Sequence, residues 1–267
     1  MSAPEARRGW WRYVPPNVVT SVSLVLGVLA IESAVDGRPI DAAWWGLLVT
    51  LTDKLDGFLA TALKGTSAFG VQMDSLADLV AFGAVPSTVM YAFFTTRPQL
   101  GWATGWAHLG LRAICGLYVV AVAARLARFN VMAQKGPHPH YTGTPSTMTA
   151  GMLLAFFLAC LKYADPSLAH PEHLDTWRLL GGLRTDALVP WLPLTLLLGG
   201  VGMLSPLRVP RLGRAFHPVA SALLLAAVLF GYGMGIARHL PEYLVGGGLY
   251  YLGICIAYHV RTRNKAS

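Results

Sequence analysis

Eight runs of mostly apolar residues, at about 17–35, 42–64, 71–95, 107–132, 146–163, 187–205, 216–237 and 242–260, dominate this 267-residue chain. Each is close to the roughly 20 residues that a helix needs to cross the hydrocarbon core of a bilayer. In lipid the backbone N–H and C=O groups of such a run must be satisfied within the protein, which an α-helix does by itself. The composition agrees, since 54% of residues are hydrophobic, only 13% are charged and mean hydropathy is +0.50. The chain is therefore expected to be all-α, a polytopic membrane helix bundle of about eight transmembrane helices with no separate soluble domain.

Charge sets the expected orientation. The opening "MSAPEARRGWWRYVPP" has no small-residue cleavage site, so the first run is read as a retained span and residues 1–15 as a cytoplasmic segment. With both termini inside, fourteen Lys and Arg fall on the cytoplasmic side and seven on the other, as the positive-inside rule requires. The net charge of +8 is spread over span ends, which fits anionic lipid headgroups and argues against nucleic acid. Cys115, Cys160 and Cys255 sit in apolar runs without metal or disulfide spacing and are read as packing residues. The longest connection, 163–187, is expected outside and partly helical at the surface. Gly231 and Gly235 form a small-xxx-small pair suited to packing within the molecule.

Against this background the stretch "DKLDGFLATALKGTSAFGVQMDSLAD" stands out, because an ionised carboxylate inside a membrane helix costs about 2.5–3.5 kcal/mol even on the most lenient scale. Asp53, Asp56, Gly57 and Ala60 follow i, i+3, i+4, i+7 and share one face of the second span, while Gly70, Asp74 and Asp78 share one face of the third. The short join "KGTSAFG" predicts that the two helices are antiparallel neighbours on the cytoplasmic side. A rise of about 1.5 Å per residue places Asp56 and Asp78 each about 12 Å from the turn, at one depth. Four acids in one pocket repel unless cations intervene, and hard divalent ions such as Mg²⁺ or Mn²⁺ suit oxygen ligands. Two such ions fit in-line displacement at phosphorus, and the small residues leave room for a nucleotide. The alternatives are a proton or cation path and acids paired with Lys or Arg.

These residues resemble the signature of the CDP-alcohol phosphotransferase family, D-x2-D-G-x2-A-R-x8-G-x3-D-x3-D, with Asp53, Asp56, Gly57, Ala60, Gly70, Asp74 and Asp78 in register. Within it "FGVQMDSLADLVAFGAVPS", "RLARFNV", "YTGTPSTMTAG" and the opening "PNVVTSVSLVLG" are similar to the phosphatidylserine synthase branch. The resemblance covers roughly the first 160 residues. It implies a six-helix core, placed at 16–205, followed by two additional helices over 206–260 and a cytoplasmic tail at 261–267. It further implies a homodimer in the cell inner membrane, with an active site facing the cytoplasm that transfers a phosphatidyl group from CDP-diacylglycerol to L-serine and releases CMP. Other acceptors, glycerol 3-phosphate or an inositol phosphate, keep the same chemistry. The sequence departs from the signature at Thr61, where the family has Arg, so a catalytically impaired relative is the further alternative.

By the resemblance, Asp53, Asp56 and Asp74 are metal ligands, and Asp78 is a ligand or the base that takes the serine hydroxyl proton. Gly57, Ala60 and Gly70 border the nucleotide. Asn17 and Thr20 either reach the nucleotide or cap the first helix. Arg125 and Arg128 either bind a phosphate or the serine carboxylate or anchor the fourth span at the interface. The polar loop Tyr141 to Ser146 is placed to close over serine, and His138 and His140 are read as solvated loop residues.

Overall fold

The computed structural model describes residues 13–63, 67–134, 140–168, 179–210, 230–231 and 233–264. They form the helices α1 (Val14–Val35), α2 (Pro39–Ala62), α3 (Ala68–Asp78), α4 (Val85–Thr95), α5 (Gly105–Gln134), α6 (Ser146–Tyr163), α7 (Leu192–Leu204) and α8 (Pro241–Asn264). The only strands among the described residues are β1 (His140–Thr142) and β2 (Arg208–Pro210), paired antiparallel with Thr142 opposite Arg208. The protein is thus an all-α polytopic membrane protein with one three-residue ribbon. Among the described residues, five helical runs are long and apolar enough to cross a bilayer: Val14–Val35, Ala68–Thr95, Gly105–Met132, Ser146–Tyr163 and Pro241–Arg263. Helix α2 has comparable length but carries four charged residues, and the apolar run Val189–Leu204 is shorter. The expected seventh span, 216–237, lies largely outside the described residues.

The third span is one continuous helical run, but its middle is not α-helical. Residues Leu79–Ala84 widen into a π-turn, in which the Val85 N–H donates to the Val80 carbonyl five residues back. Pro86, early in α4, explains the widening. Its ring has no N–H for residue 82 and would press on that carbonyl in an α-helix, so the ladder slips by one residue.

The core lies where α2, α4, α5 and α6 meet. Phe93 packs edge-on against Phe157 at 5.0 Å and against Phe94 at 5.2 Å, with Phe82, Met90, Leu154 and Leu158 fully buried around them. Gly46 allows α2 into this cluster, since a β-carbon there would stand 2.6 Å from Leu154 and 2.9 Å from Val85. Valines 18, 22 and 25 of α1 remain exposed and α8 is largely exposed or half-buried, as expected of surfaces that meet lipid. The three cysteines are free and buried, as expected of packing residues, and of the expected glycine pair Gly231 packs against Tyr243 and Leu244, whereas a β-carbon at Gly235 would meet nothing within 4 Å. In the 163–187 connection the described residues form turns and no helix, and 169–178 lie outside them.

One packing expectation is corrected. Helix α3 packs mainly on α1, and α2 packs mainly on α1, α6 and α4 rather than along the length of α3. The acid-bearing faces of α2 and α3 still meet, since carboxylate oxygens of Asp53, Asp74 and Asp78 lie within 4.8 Å of one another.

At the opposite end, Lys162 is buried. Its ammonium donates to both carboxylate oxygens of Glu242 at 2.9 and 3.2 Å, and the Tyr163 hydroxyl donates to the same carboxylate at 2.8 Å. Glu242 opens α8, so this network ties the end of α6 to the start of α8. Removing one member strands the other charge. Glu242→Leu is expected to destabilise the protein by about 3–5 kcal/mol, and adding Lys162→Met to recover much of that loss. Thermal unfolding in detergent checks both.

Candidate active site

The site forms where α2, α3, α5 and the start of α6 converge. Ser67 caps α3, its hydroxyl accepting the Gly70 N–H at 2.9 Å, and the helix then presents Gly70, Asp74 and Asp78 along one face. On α2, Thr52 and Asp53 stand at matching depth. The Ser23 hydroxyl of α1 donates to the Thr52 hydroxyl at 2.8 Å, which fixes α1 against α2 one residue from the acid.

Asp53, Asp74 and Asp78 are half-buried, and each offers a carboxylate oxygen such that all three lie within 4.8 Å of one another. Three carboxylates this close in a partly apolar setting repel strongly, and a divalent cation with oxygen ligands is the group that would relieve that repulsion. The donor set therefore fits a hard metal ion. Helix α2 also carries Asp56, Gly57, Ala60 and Thr61, but their side chains, and Lys64, lie outside the described residues.

The other expected residues separate into those at the site and those that shape it. Asn17 lies against Gly70, where an added β-carbon would meet the Asn17 amide oxygen at 2.9 Å and push that side chain aside. Neither Asn17 nor Thr20 caps α1. The helix starts at Val14 after Tyr13, and the Thr20 hydroxyl donates to the Pro16 carbonyl at 3.1 Å inside the helix. Asn17 thus lies within the helix and beside the acidic face of α3.

Arg125 and Arg128 both reach the loop that precedes α6. Arg125 donates through Nε to the Thr144 carbonyl at 2.9 Å and through Nη1 to the Ser146 hydroxyl at 2.8 Å, and its charge is felt by Asp78 and Asp53. Arg128 donates to the carbonyls of Thr142 at 3.0 Å, Met203 at 2.8 Å and Leu204 at 3.3 Å. The two guanidinium groups thus bind the loop to α5 and α7. His140 heads β1, while His138 lies outside the described residues.

Three contributors were not legible in the aspartate spacing. The Thr147 hydroxyl donates to Asp53 Oδ2 at 3.3 Å, so α6 supplies a hydrogen bond to the acid cluster. Asn130 of α5 donates to the Ser75 hydroxyl at 2.8 Å, next to Asp74. Thr144 and Thr149 pair their hydroxyls at 3.0 Å beneath the loop. The one available signal was the density of hydroxyls in "YTGTPSTMT", unusual at the head of an apolar span.

A profile of the CDP-alcohol phosphatidyltransferase family matches residues 13–192, which hold α1 to α6 and all three clustered aspartates. Among curated relatives, a CDP-diacylglycerol–serine O-phosphatidyltransferase of Mycobacterium tuberculosis is 34% identical over 179 residues, covering 65% of this chain and 59% of its own. A protein of the same name from Helicobacter pylori is 34% identical over 151 residues, 57% of this chain and 60% of its own. An archaetidylserine synthase of Methanothermobacter thermautotrophicus is 30% identical over 145 residues, 54% of this chain and 57% of its own. The chain spans about three fifths of the length of these relatives. With the profile covering well over half of its length and the acid-bearing helices inside the match, the chain belongs to the CDP-alcohol phosphatidyltransferase family.

Proposed function

We propose that this protein transfers the phosphatidyl group of CDP-diacylglycerol to L-serine, giving phosphatidylserine and CMP. The observation that carries the reading is the convergence of Asp53, Asp74 and Asp78 within 4.8 Å at the mouth of the bundle, beneath a loop rich in hydroxyls. The names of the relatives supply the donor and the acceptor.

Asp53 and Asp74, with Asp56 one turn on from Asp53, would hold Mg²⁺ or Mn²⁺, and two ions match the number of carboxylates. The metal, when bound, neutralises charge on the pyrophosphate and on the leaving oxygen. Asp78 accepts the proton of the serine hydroxyl as its oxygen bonds to the phosphorus that bears the diacylglycerol. The bond from that phosphorus to the CMP oxygen breaks, and CMP leaves as an anion. A carboxylate suits this step because the free alkoxide is too scarce at neutral pH to react unaided.

Arg125 keeps its charge beside Asp78 while two of its nitrogens hold the loop, which fits attraction of an anionic substrate without mobility of the guanidinium. Arg128 reinforces the same loop from behind. Asn17, Thr20, Gly57, Ala60 and Gly70 would border the nucleotide, on the side where α1 approaches α3. The twofold excess of Lys and Arg supports an acidic end that faces the cytoplasm, here of the cell inner membrane, and the family resemblance supports a homodimer.

Purified protein with CDP-diacylglycerol, labelled serine and Mg²⁺ or Mn²⁺ is expected to release CMP and form phosphatidylserine. Absence of CMP release from the natural sequence, with release from Thr61→Arg, would overturn the reading for this chain. Asp78→Asn is expected to lower kcat by about 10²–10⁴ with the metal still bound. Asp53→Asn or Asp74→Asn is expected to weaken Mn²⁺ binding by at least about tenfold, as followed by the electron paramagnetic resonance of the free ion.

A further inference from the structure

Helix α8 lies beyond residue 192, where the family match ends, yet it is fastened at one end to α6 and at the other to β2. One fastening is the buried network of Glu242 with Lys162 and Tyr163 at the far end. The other is at the acidic end. His259 Nδ1 accepts the backbone N–H of Arg208 at 3.0 Å, and the Arg208 guanidinium donates to the Thr262 carbonyl at 3.3 Å.

Arg208 opens β2, and its partner across the ribbon is Thr142. From there the chain is held residue by residue. The Gly143 N–H donates to the Leu207 carbonyl at 2.8 Å and the Thr144 N–H to the Gly202 carbonyl at 3.1 Å. Gly143 has φ +78°, and a β-carbon there would collide with the Met203 carbonyl, so this passage has one available path. Three residues after Thr144 the same segment brings Thr147 to Asp53.

A two-stranded ribbon of three residues a side does not hold its shape unaided in water. Its support here comes from elements on either side of it, with Arg128 on one and α8 on the other. We propose that His259 is a positioning residue. By holding β2 it fixes the 140–147 loop, which is placed to close over the acceptor, and so sets the affinity for the acceptor alcohol. The statement about the acceptor rests on the function proposed above, whereas the ordering of the loop does not. Nδ1 accepts an N–H, so the imidazole must present a bare nitrogen there, a part that an asparagine side-chain oxygen can also play and that alanine cannot.

The test compares the full-length protein with His259→Ala and His259→Asn in lipid nanodiscs. It reads serine kinetics, thermal unfolding and amide hydrogen exchange over residues 140–147. His259→Ala is expected to raise the KM for serine about fivefold with kcat unchanged, as the loss of one hydrogen bond implies. It should also speed exchange across the loop, more than a hundred positions away in sequence, and His259→Asn should restore both. A lowered unfolding temperature with KM and loop exchange unchanged would overturn the proposal and leave His259 a purely structural residue. If the wild-type protein releases no CMP with serine or with a panel of other alcohols, the functional reading fails by itself, and loop exchange alone then decides the positioning role. If the active acceptor is another alcohol, its KM replaces that of serine.

Discussion

Repulsion among Asp53, Asp74 and Asp78 is the constraint to which much of this structure answers. Three carboxylates with oxygens inside 4.8 Å would spread apart if their helices were free to move. They are not free, because Asp53 and Asp74 each sit beside a fastening from another element, and Asp78 lies one turn on from Asp74 in the same helix. Thr147 bonds Asp53, Ser23 holds the neighbouring Thr52, and Asn130 holds Ser75 next to Asp74. The cost of assembling the cluster is thus met by hydrogen bonds distributed over α1, α5 and α6, and the assembled cluster is predisposed toward a divalent cation. A site that waited for the metal to draw its ligands together would spend part of the binding energy on ordering them.

Helix α6 connects this site to the other face of the bundle. It begins with Ser146 and Thr147 among the site residues and ends with Lys162 and Tyr163 in the buried ionic network. Between them, Leu154 and Phe157 fill the core against α2 and α4. A rigid helix locked at one end by a desolvated ion pair transmits little thermal displacement to the other. The C-terminal helix contributes at both levels, although neither its composition nor its spacing advertises a function.

The sequence carried the parts of the design that a single helix determines. Asp74 and Asp78 lie four apart and Gly70 four before them, so the helical period alone puts them on one face, and the structure keeps them there. The rise per residue likewise put Asp56 and Asp78 at one depth, although the Asp56 side chain lies outside the described residues. What the sequence did not carry depends on partners distant along the chain. The lean of α3 onto α1, the bond from Thr147 to an acid 94 positions earlier, and the burial of Lys162 against Glu242 all arise from how helices meet. Asn17 shows the intermediate case. Its residue type suits a helix cap, but with Pro15 and Pro16 in the first turn the helix begins earlier, leaving Asn17 inside it and facing Gly70.

The π-turn after Asp78 has a consequence for how such a protein can change over time. A straight α-helix would couple the rotation of the acidic face to that of the Phe93 and Phe94 core two and more turns away. The extra residue in the 79–84 turn breaks that coupling, so the two halves of the span are set by separate contacts, Ser67 and Asn130 for one and Phe157 for the other. Drift in the core half can be absorbed by repacking there without turning the acids away from their partners. The span is one continuous run in two helical phases, so the facing of Asp74 and Asp78 and the facing of the core half are set on different rotations about one axis.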